Sequence, residues 1–388
     1  MGQTRPIRAG TAEVCLLLLL VTGSCTTERD PGEASRTSPP AAVRTERFPG
    51  GGAILSSGGG GLSATFADGS SKAIGPFLGA EPFPGLQFFP SGELLAWKLT
   101  RENADYFVMR MDGTNRHHVL APTKRQDHFG VEVSPDGTKL AYGRNTYLGP
   151  GRSRYDLLVL DLSTGRSTNL GPIAPAGPKE DFSYTFAWNN DSTLLLVQSN
   201  DRRSIEWINL ESRSRDNYLS VTDRRIVRSY NSVLPNAEPP REIRPIGWTP
   251  NPRFTGFAVL VSGRDGSDPA VVVLQNGPTR AFAVPGNPTG VQFTWALTST
   301  RFLVASWVDE RHGPTDWILT VGNARTGRAV EIARNPRIRG SLLAPEGDVV
   351  IFAPNTRHWV FVPVGGCRDL RECGHRIQMA GYPLAWIA

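Results

Sequence analysis

Lysine, cysteine and methionine are all scarce in this 388-residue chain. Its lysines are only Lys72, Lys98, Lys124, Lys139 and Lys179, so the formal charge of +6 is carried almost wholly by arginine. Basic residues alternate with acidic ones and form no long run, which argues against nucleic acid as a partner. Long helical periodicity is missing after residue 25, which excludes a helical bundle. There is no H-E-x-x-H, no phosphate-binding P-loop and no G-x-S-x-G elbow, so zinc-peptidase, nucleotide and serine-hydrolase chemistry find no motif. The 6 histidines are dispersed, and neither a metal site nor a cofactor is expected. What is abundant is glycine, at 41, and proline, at 31, the composition of a chain with many tight turns.

The opening "MGQTRPIRAGTAEVCLLLLLVTGSC" has Arg5 and Arg8, then an apolar stretch from Val14 to Val21, then small residues. Residues 1–24 therefore read as a secretory signal, too short in its apolar part to span a bilayer. "VTGSC" resembles the lipobox of bacterial lipoproteins, with Thr22 where the family usually has leucine and Glu13 unusually close to the apolar run. That resemblance implies lipidation at Cys25, and secretion with cleavage nearby is the alternative. The protein is then expected to be exported and held by a lipid on the extracytoplasmic side of the membrane. Residues 25–49 are polar and rich in Pro, Ser and Thr, a composition that cannot offset its ordering entropy and reads as a flexible tether. Cys367 and Cys373 in "GGCRDLRECGH" read as a local disulfide in an oxidising compartment. The rival reading is a metal or redox pair, against which the spacing is not C-x-x-C.

Residues 50–388 are organised as a repeat. "FGVEVSPDGTKLAYGR" is a hairpin, with alternating apolar residues on either side of Pro135-Asp136-Gly137. Similar hairpins turn at Gly92, Ser192, Pro252, Thr300 and Gly347, at spacings in the forties to sixty. Each is followed by a strand, a second turn and another strand, as in "DLLVLDLSTGRSTNL" and "WILTVGNARTGRAVEI". Four short strands per repeat of this length predict a β-propeller. The first copy, from Ala53, holds only three strands, and the chain ends in "YPLAWIA", an innermost strand without successors. Pairing the two completes a seven-bladed all-β propeller and hides two sheet edges. "SPDGTKLAY…LLVLDLSTG" resembles the propeller repeats of the TolB and WD-repeat-like bacterial proteins, well over residues 82–171 and loosely elsewhere. The resemblance implies architecture and says little of function.

The connections are unequal. Within each repeat the two turns are short, whereas the second-to-third connections are longer and each carries an arginine: Arg101, Arg152, Arg202, Arg264, Arg311 and Arg357. With Tyr147, Tyr155, Tyr230 and Trp359 they suggest a face that docks an envelope protein or an anionic or polar ligand. The plainer reading is solvated hairpin tips in an arginine-biased chain. Trp188, Trp248, Trp295 and Trp386, in first-strand segments, are expected to pack between blades. The function expected is a non-enzymatic binding or scaffolding module at the cell envelope. The alternative is an envelope lyase or glycan hydrolase using carboxylates such as Asp265, Asp309 or Glu310.

Overall fold

The computed structural model describes residues 53–387 apart from 59–60, 67–69, 77–85, 90, 92, 100–103, 111–113, 174–185, 252, 276–277, 287, 289, 311–312, 336–337, 339, 356–357, 365–374 and 379–381. The chain forms a seven-bladed β-propeller, each blade an antiparallel sheet of four strands. Blade 1 joins Tyr382–Ile387 to Ala53–Gly58, Gly61–Phe66 and Ser71–Pro76. Blade 2 is Leu86–Phe88, Glu93–Leu99, Ala104–Arg110 and His117–Leu120. Blade 3 is Gln126–Val133, Lys139–Gly149, Arg152–Asp161 and Arg166–Pro172. Blade 4 is Phe186–Trp188, Leu194–Gln198, Ser204–Asn209 and Arg215–Ser220. Blade 5 is Glu242–Trp248, Gly256–Ser262, Ala270–Gln275 and Arg280–Ala283. Blade 6 is Gly290–Trp295, Arg301–Glu310, Gly313–Asn323 and Arg328–Asn335, and blade 7 is Ser341–Leu343, Val349–Asn355, His358–Pro363 and His375–Gln378.

The sequence of a strand follows its place in the blade. Second and third strands are covered on both faces by neighbouring blades, so they are runs of apolar residues rather than alternations. "GFAVLVS" at Gly256–Ser262 is buried at every position, and "AVVVL" at Ala270–Leu274 likewise. Successive blades meet through apolar clusters. Phe89, Leu95 and Tyr106 of blade 2 pack on Leu140, Tyr142 and Leu158 of blade 3. Ile205 and Leu219 of blade 4 meet Phe257 and Val272 of blade 5 in the same way. Trp188 and Trp386 are buried in such clusters, and Trp248 and Trp295 pack against them.

First strands of neighbouring blades approach one another around the centre. In blade 1 that place is taken by Tyr382–Ile387, with Ala53 opposite Ile387, Ile54 opposite Trp386 and Ser57 opposite Tyr382, and a bulge between Leu55 and Ser56. Ile54 and Trp386 are both buried against Ile351 and Phe361 of blade 7. This arrangement is compatible with the terminal complementarity read from the sequence.

Antiparallel order puts all first-to-second and third-to-fourth turns at one end of the blades and all other connections at the opposite end. We call these the turn face and the connection face. The turn face is built from short side chains that bond their own backbone. In "SPDGTK", Asp136 accepts hydrogen bonds from Ser134 Oγ at 2.6 Å, Thr138 N at 3.0 Å and Thr138 Oγ1 at 2.9 Å. Gly137 sits at φ 71°, a left-handed conformation that glycine tolerates without strain. Asn189, Asp191 and Thr193 repeat the arrangement in blade 4. These turns are also tied to one another: Asp136 N donates to Ser192 Oγ, Asn190 Nδ2 to the Thr249 carbonyl, Asn251 Nδ2 to that of Thr298, and Thr298 N to that of Pro345. From blade 3 to blade 7 the turns form a hydrogen-bonded belt.

One element departs from the sequence reading. The connection from blade 4 to blade 5 contains a helix, Arg224–Val233, capped by the Asp223 carboxylate accepting from Arg225 N. Its Ile226 and Tyr230 are buried in the core between blades 4 and 5.

Candidate functional site

On the connection face the strands of blades 3 and 6 run on past their neighbours, as the paired segments Lys139–Gly149 with Arg152–Asp161 and Arg301–Glu310 with Gly313–Asn323. At the base of the blade 3 hairpin the register sets His128, Arg144 and Asp156 side by side across three strands. Gln126, Thr146 and Arg154 form the next row towards the tip. Asp156 is buried and takes Arg144 Nη2 at 3.2 Å and Arg154 Nε at 3.0 Å on the same oxygen. A second carboxyl, that of Asp127, stands next to His128 and faces Ala104 and Tyr106 of blade 2, so the two guanidinium groups are matched by two acids.

His128 is 9% exposed and lies edge-on to Tyr142, with ring centroids 5.3 Å apart. Burial, helped by the nearby Arg144 cation, pushes its imidazole down to about 4, so it is neutral at physiological pH. Four buried atoms here have no hydrogen-bond partner: His128 Nδ1, Arg144 Nε, Asn145 Oδ1 and Thr146 Oγ1. Glu132, further along the same first strand, is held among the central strands, and burial pushes its carboxyl up to about 8.

A second polar group sits where blades 4 and 5 meet. Glu242 opens the first strand of blade 5 and faces Arg202 Nη1 at 4.0 Å and Arg244 Nη2 at 3.6 Å, all three side chains being largely covered. Arg202 has φ 61°, and its carbonyl accepts from Ile243 N, which binds the turn of blade 4 to the strand of blade 5. Blade 6 contributes a stacked pair, Trp307 and Trp317, with centroids 4.6 Å apart. A Cβ on Gly290 would meet the Trp307 indole at 2.2 Å, so only glycine lets that ring lie against the first strand.

The candidate residues fare unevenly. Arg152 is exposed beside the tip of the blade 3 hairpin, and Arg264 is exposed in a 3-10 turn, Arg264–Gly266. Arg202 is the ion-paired residue just described, not a free tip. Arg101, Arg311 and Arg357 lie outside the described residues, as do Cys25, Cys367 and Cys373. Tyr147 is exposed and Tyr155 half-buried. Tyr230 and Trp359, read from the sequence as surface aromatics, are instead fully buried. Tyr230 donates its hydroxyl to the Asp268 carbonyl at 2.8 Å, and burial raises it to about 12. An aromatic flanked by arginines in a loop looks like a recognition residue until the helix that inserts it is known.

His128, Arg144, Asp156, Glu242 and Arg244 were not singled out from the sequence, because each lies within a strand rather than in a connection. The signal available was polarity at positions where a first or second strand should stay apolar, as in "QDHFGVEV" and the "GRNT" that continues "KLAY". Among the described residues no group of three or more His, Cys, Asp or Glu is arranged to hold a metal, and no helix is long and apolar enough to cross a membrane.

No protein-family pattern matches the chain, and a sequence search of curated proteins found no match. Among solved structures it is similar to TolB from Acinetobacter baumannii, at 14% identity over 86% of this chain and 80% of that one, TM-score 0.44. It is also similar to oligogalacturonate lyase from Vibrio parahaemolyticus, at 11% identity over 85% and 84%, TM-score 0.47. A third likeness is to the tricorn protease, at 10% identity over 84% of this chain and 34% of that one, TM-score 0.47. Likenesses this distant carry no argument about activity, and the propeller assignment rests on sheet order and register.

Proposed function

We propose that the protein is an exported, lipid-anchored, non-enzymatic binding or scaffolding module of the cell envelope, receiving an anionic or polar partner on its connection face. The observation that supports this reading is the distribution of polar groups lacking partners. His128, Arg144, Asn145 and Thr146 all carry such an atom, and all lie towards the connection face. A buried polar atom left unpaired costs roughly 1–3 kcal/mol, a cost that a suitable partner would remove. Arginines of the second-to-third connections, Arg101, Arg152, Arg202, Arg264, Arg311 and Arg357, would surround the contact and steer an anion towards it. A glycan hydrolase would need two converging carboxylates free to exchange protons. Asp156 and Glu242 each face two arginines, in separate blades, and are turned to guanidinium groups rather than to one another.

The test is crosslinking in envelope extracts with Arg152→Glu/Arg264→Glu on the connection face and Arg166→Glu/Arg325→Glu on the turn face, four exposed positions. Loss of the crosslinked species with the first pair alone is the expected result. Crosslinks that survive it would overturn the assignment of the face. The anchor is tested apart, by Cys25→Ser, which should release the protein from membranes. Unchanged membrane association and N-terminal mass would refute lipidation.

A further inference from the structure

Ala53 opens the second strand of blade 1 opposite Ile387, so the chain enters the propeller at the turn end. A lipid on Cys25 would be joined, through residues 26–52, to the turn face. The connection face lies a strand length further off, about 20 Å for the six residues Ala53–Gly58. Of the two ends, the turn face is the one that such an anchor draws to a membrane.

The outer, third-to-fourth turns of that face carry Lys72 in blade 1, Arg116 in blade 2, Arg166 in blade 3, Arg213 in blade 4, and Arg325 and Arg328 in blade 6. All six are exposed, and none forms an ion pair with a described residue. Arg110 and Arg280 add to them, while Arg215 is matched by Glu206. The acids of these turns are Asp161, Glu211 and Asp216, with Asp68 and Asp112 outside the described residues. The outer turn of blade 7 also lies outside them, and its sequence balances Arg368 and Arg371 with Asp369 and Glu372. Cations prevail at the rim.

The inner, first-to-second turns reverse the sign, with Lys139, Arg253 and Arg301 against Glu93, Asp136, Asp191, Glu346 and Asp348. Inner and outer turns of one blade are two strand spacings apart, about 10 Å. That is about one Debye length at physiological salt, so the rim is largely screened from the acids near the centre. Cations at the same end of five blades spread charge round a rim instead of gathering it in a pocket. A pocket suits one small anion, and a rim suits a plane of them. On the connection face, by contrast, Arg144, Arg154, Arg202 and Arg244 are set against Asp156 and Glu242.

We propose that the turn face rests on an anionic phospholipid surface, with its outer-turn cations against the headgroup phosphates. The connection face is then turned outward, where a partner can reach it. The inference rests on the lipid-anchored reading and gives that reading an orientation.

The test places the full-length protein, purified from membranes, on vesicles of phosphatidylcholine alone or of phosphatidylcholine mixed with phosphatidylglycerol. Arginines are labelled with phenylglyoxal, and the rate at each is read by mass spectrometry. On the anionic vesicles Arg166, Arg213, Arg325 and Arg328 should label about fivefold more slowly than on the neutral ones. Arg152 and Arg264, on the connection face, should label alike on both. High salt should abolish the difference. Arg166→Gln/Arg325→Gln/Arg328→Gln changes exposed positions only and should melt like the parent, yet return Arg213 towards its rate on neutral vesicles. Equal rates on the two vesicles, or protection of Arg152 and Arg264 instead, overturns the proposal. Protection reproduced by inorganic phosphate without vesicles would assign discrete anion sites and overturns the lipid surface. If the protein floats with neither vesicle, the lipid anchor itself has failed. If it floats with both and the rates stay equal, the anchor stands and this docking fails.

Discussion

The two ends of the blades solve opposite problems. Across the turn face, Asp, Asn, Ser and Thr bond the backbone of their own turn, and the turns of blades 3 to 7 are tied in series. On the connection face the strands overrun, arginines gather, and several buried polar atoms are left without partners. The division has exceptions, since Trp248 Nε1 and Arg280 Nε also lack partners and lie at the turn end. It is still clear enough to assign tasks. One end closes and stiffens the molecule, and the other keeps unspent hydrogen-bonding capacity. Substitutions at the first should cost stability without touching binding, and at the second the reverse.

The harshest break removes the frame that both ends share. Deleting Tyr382–Ile387 strips the first strand from blade 1 and leaves Ala53–Gly58 with an open edge. Loss of the buried Trp386 alone costs roughly 2–5 kcal/mol, and the lost strand pairing adds to it, against a total of about 5–15 kcal/mol. The truncated protein should be unfolded or aggregated, and a thermal midpoint equal to the parent's would refute a closed ring.

Acid should act on the two ends in sequence. His128, on the connection side, has its folded value depressed to about 4 from an ordinary 6.5, so the unfolded chain takes up the proton first. Its contribution to stability should fall as pH drops from 6.5 towards 4, by at most about 3 kcal/mol, while buried Glu132, raised to about 8, works the other way down to its ordinary 4.5. The turn end responds later. Although partial burial works the other way, hydrogen bonds from Ser134 and Thr138 hold Asp136 down at about 2. Its contribution is complete above about 3.8 and is lost as pH falls towards 2. The denaturant midpoint of the parent should fall relative to that of His128→Gln between pH 6.5 and 4, and both should fall below pH 4. A difference that stays constant across the upper range would deny the buried, neutral imidazole.

Smaller effects sharpen the division. Asp136→Ala, which leaves Thr138 N and Ser134 without their acceptor, should cost about 1 kcal/mol and lower the melting temperature. Partner binding should be unaffected. Arg152→Glu/Arg264→Glu should change stability by less than about 0.5 kcal/mol, as surface substitutions do, and yet weaken binding. Were the two variants to exchange these phenotypes, the assignment of tasks would be reversed.

Much of the frame was legible in the sequence because its signals are local. "SPDGTK" and "LSTG" mark turns by residues that bond their own backbone, and long apolar runs such as "AVVVL" mark strands covered on both faces. The incomplete first copy and the solitary last strand were legible as complements. The helix Arg224–Val233 was not, because three arginines interrupt it and only Ile226 and Tyr230 turn inward. The site was harder still. His128, Arg144 and Asp156 are separated along the chain by other strand residues and become neighbours only through register. Reading arginines in the connections found the right end of the blades and missed the residues that give it chemistry.

The pairing of Ala53 with Ile387 also has a consequence in time. A chain made at about 5–20 residues per second presents Ala53 tens of seconds before Ile387 exists. During that interval blades 2 to 7 can assemble from neighbours, but blade 1 waits with one edge unsatisfied. Long-range strand pairing is slow even once both partners are present. The nascent protein is therefore open to aggregation until Tyr382–Ile387 emerges, and its vulnerability ends with a pairing between residues far apart in the chain.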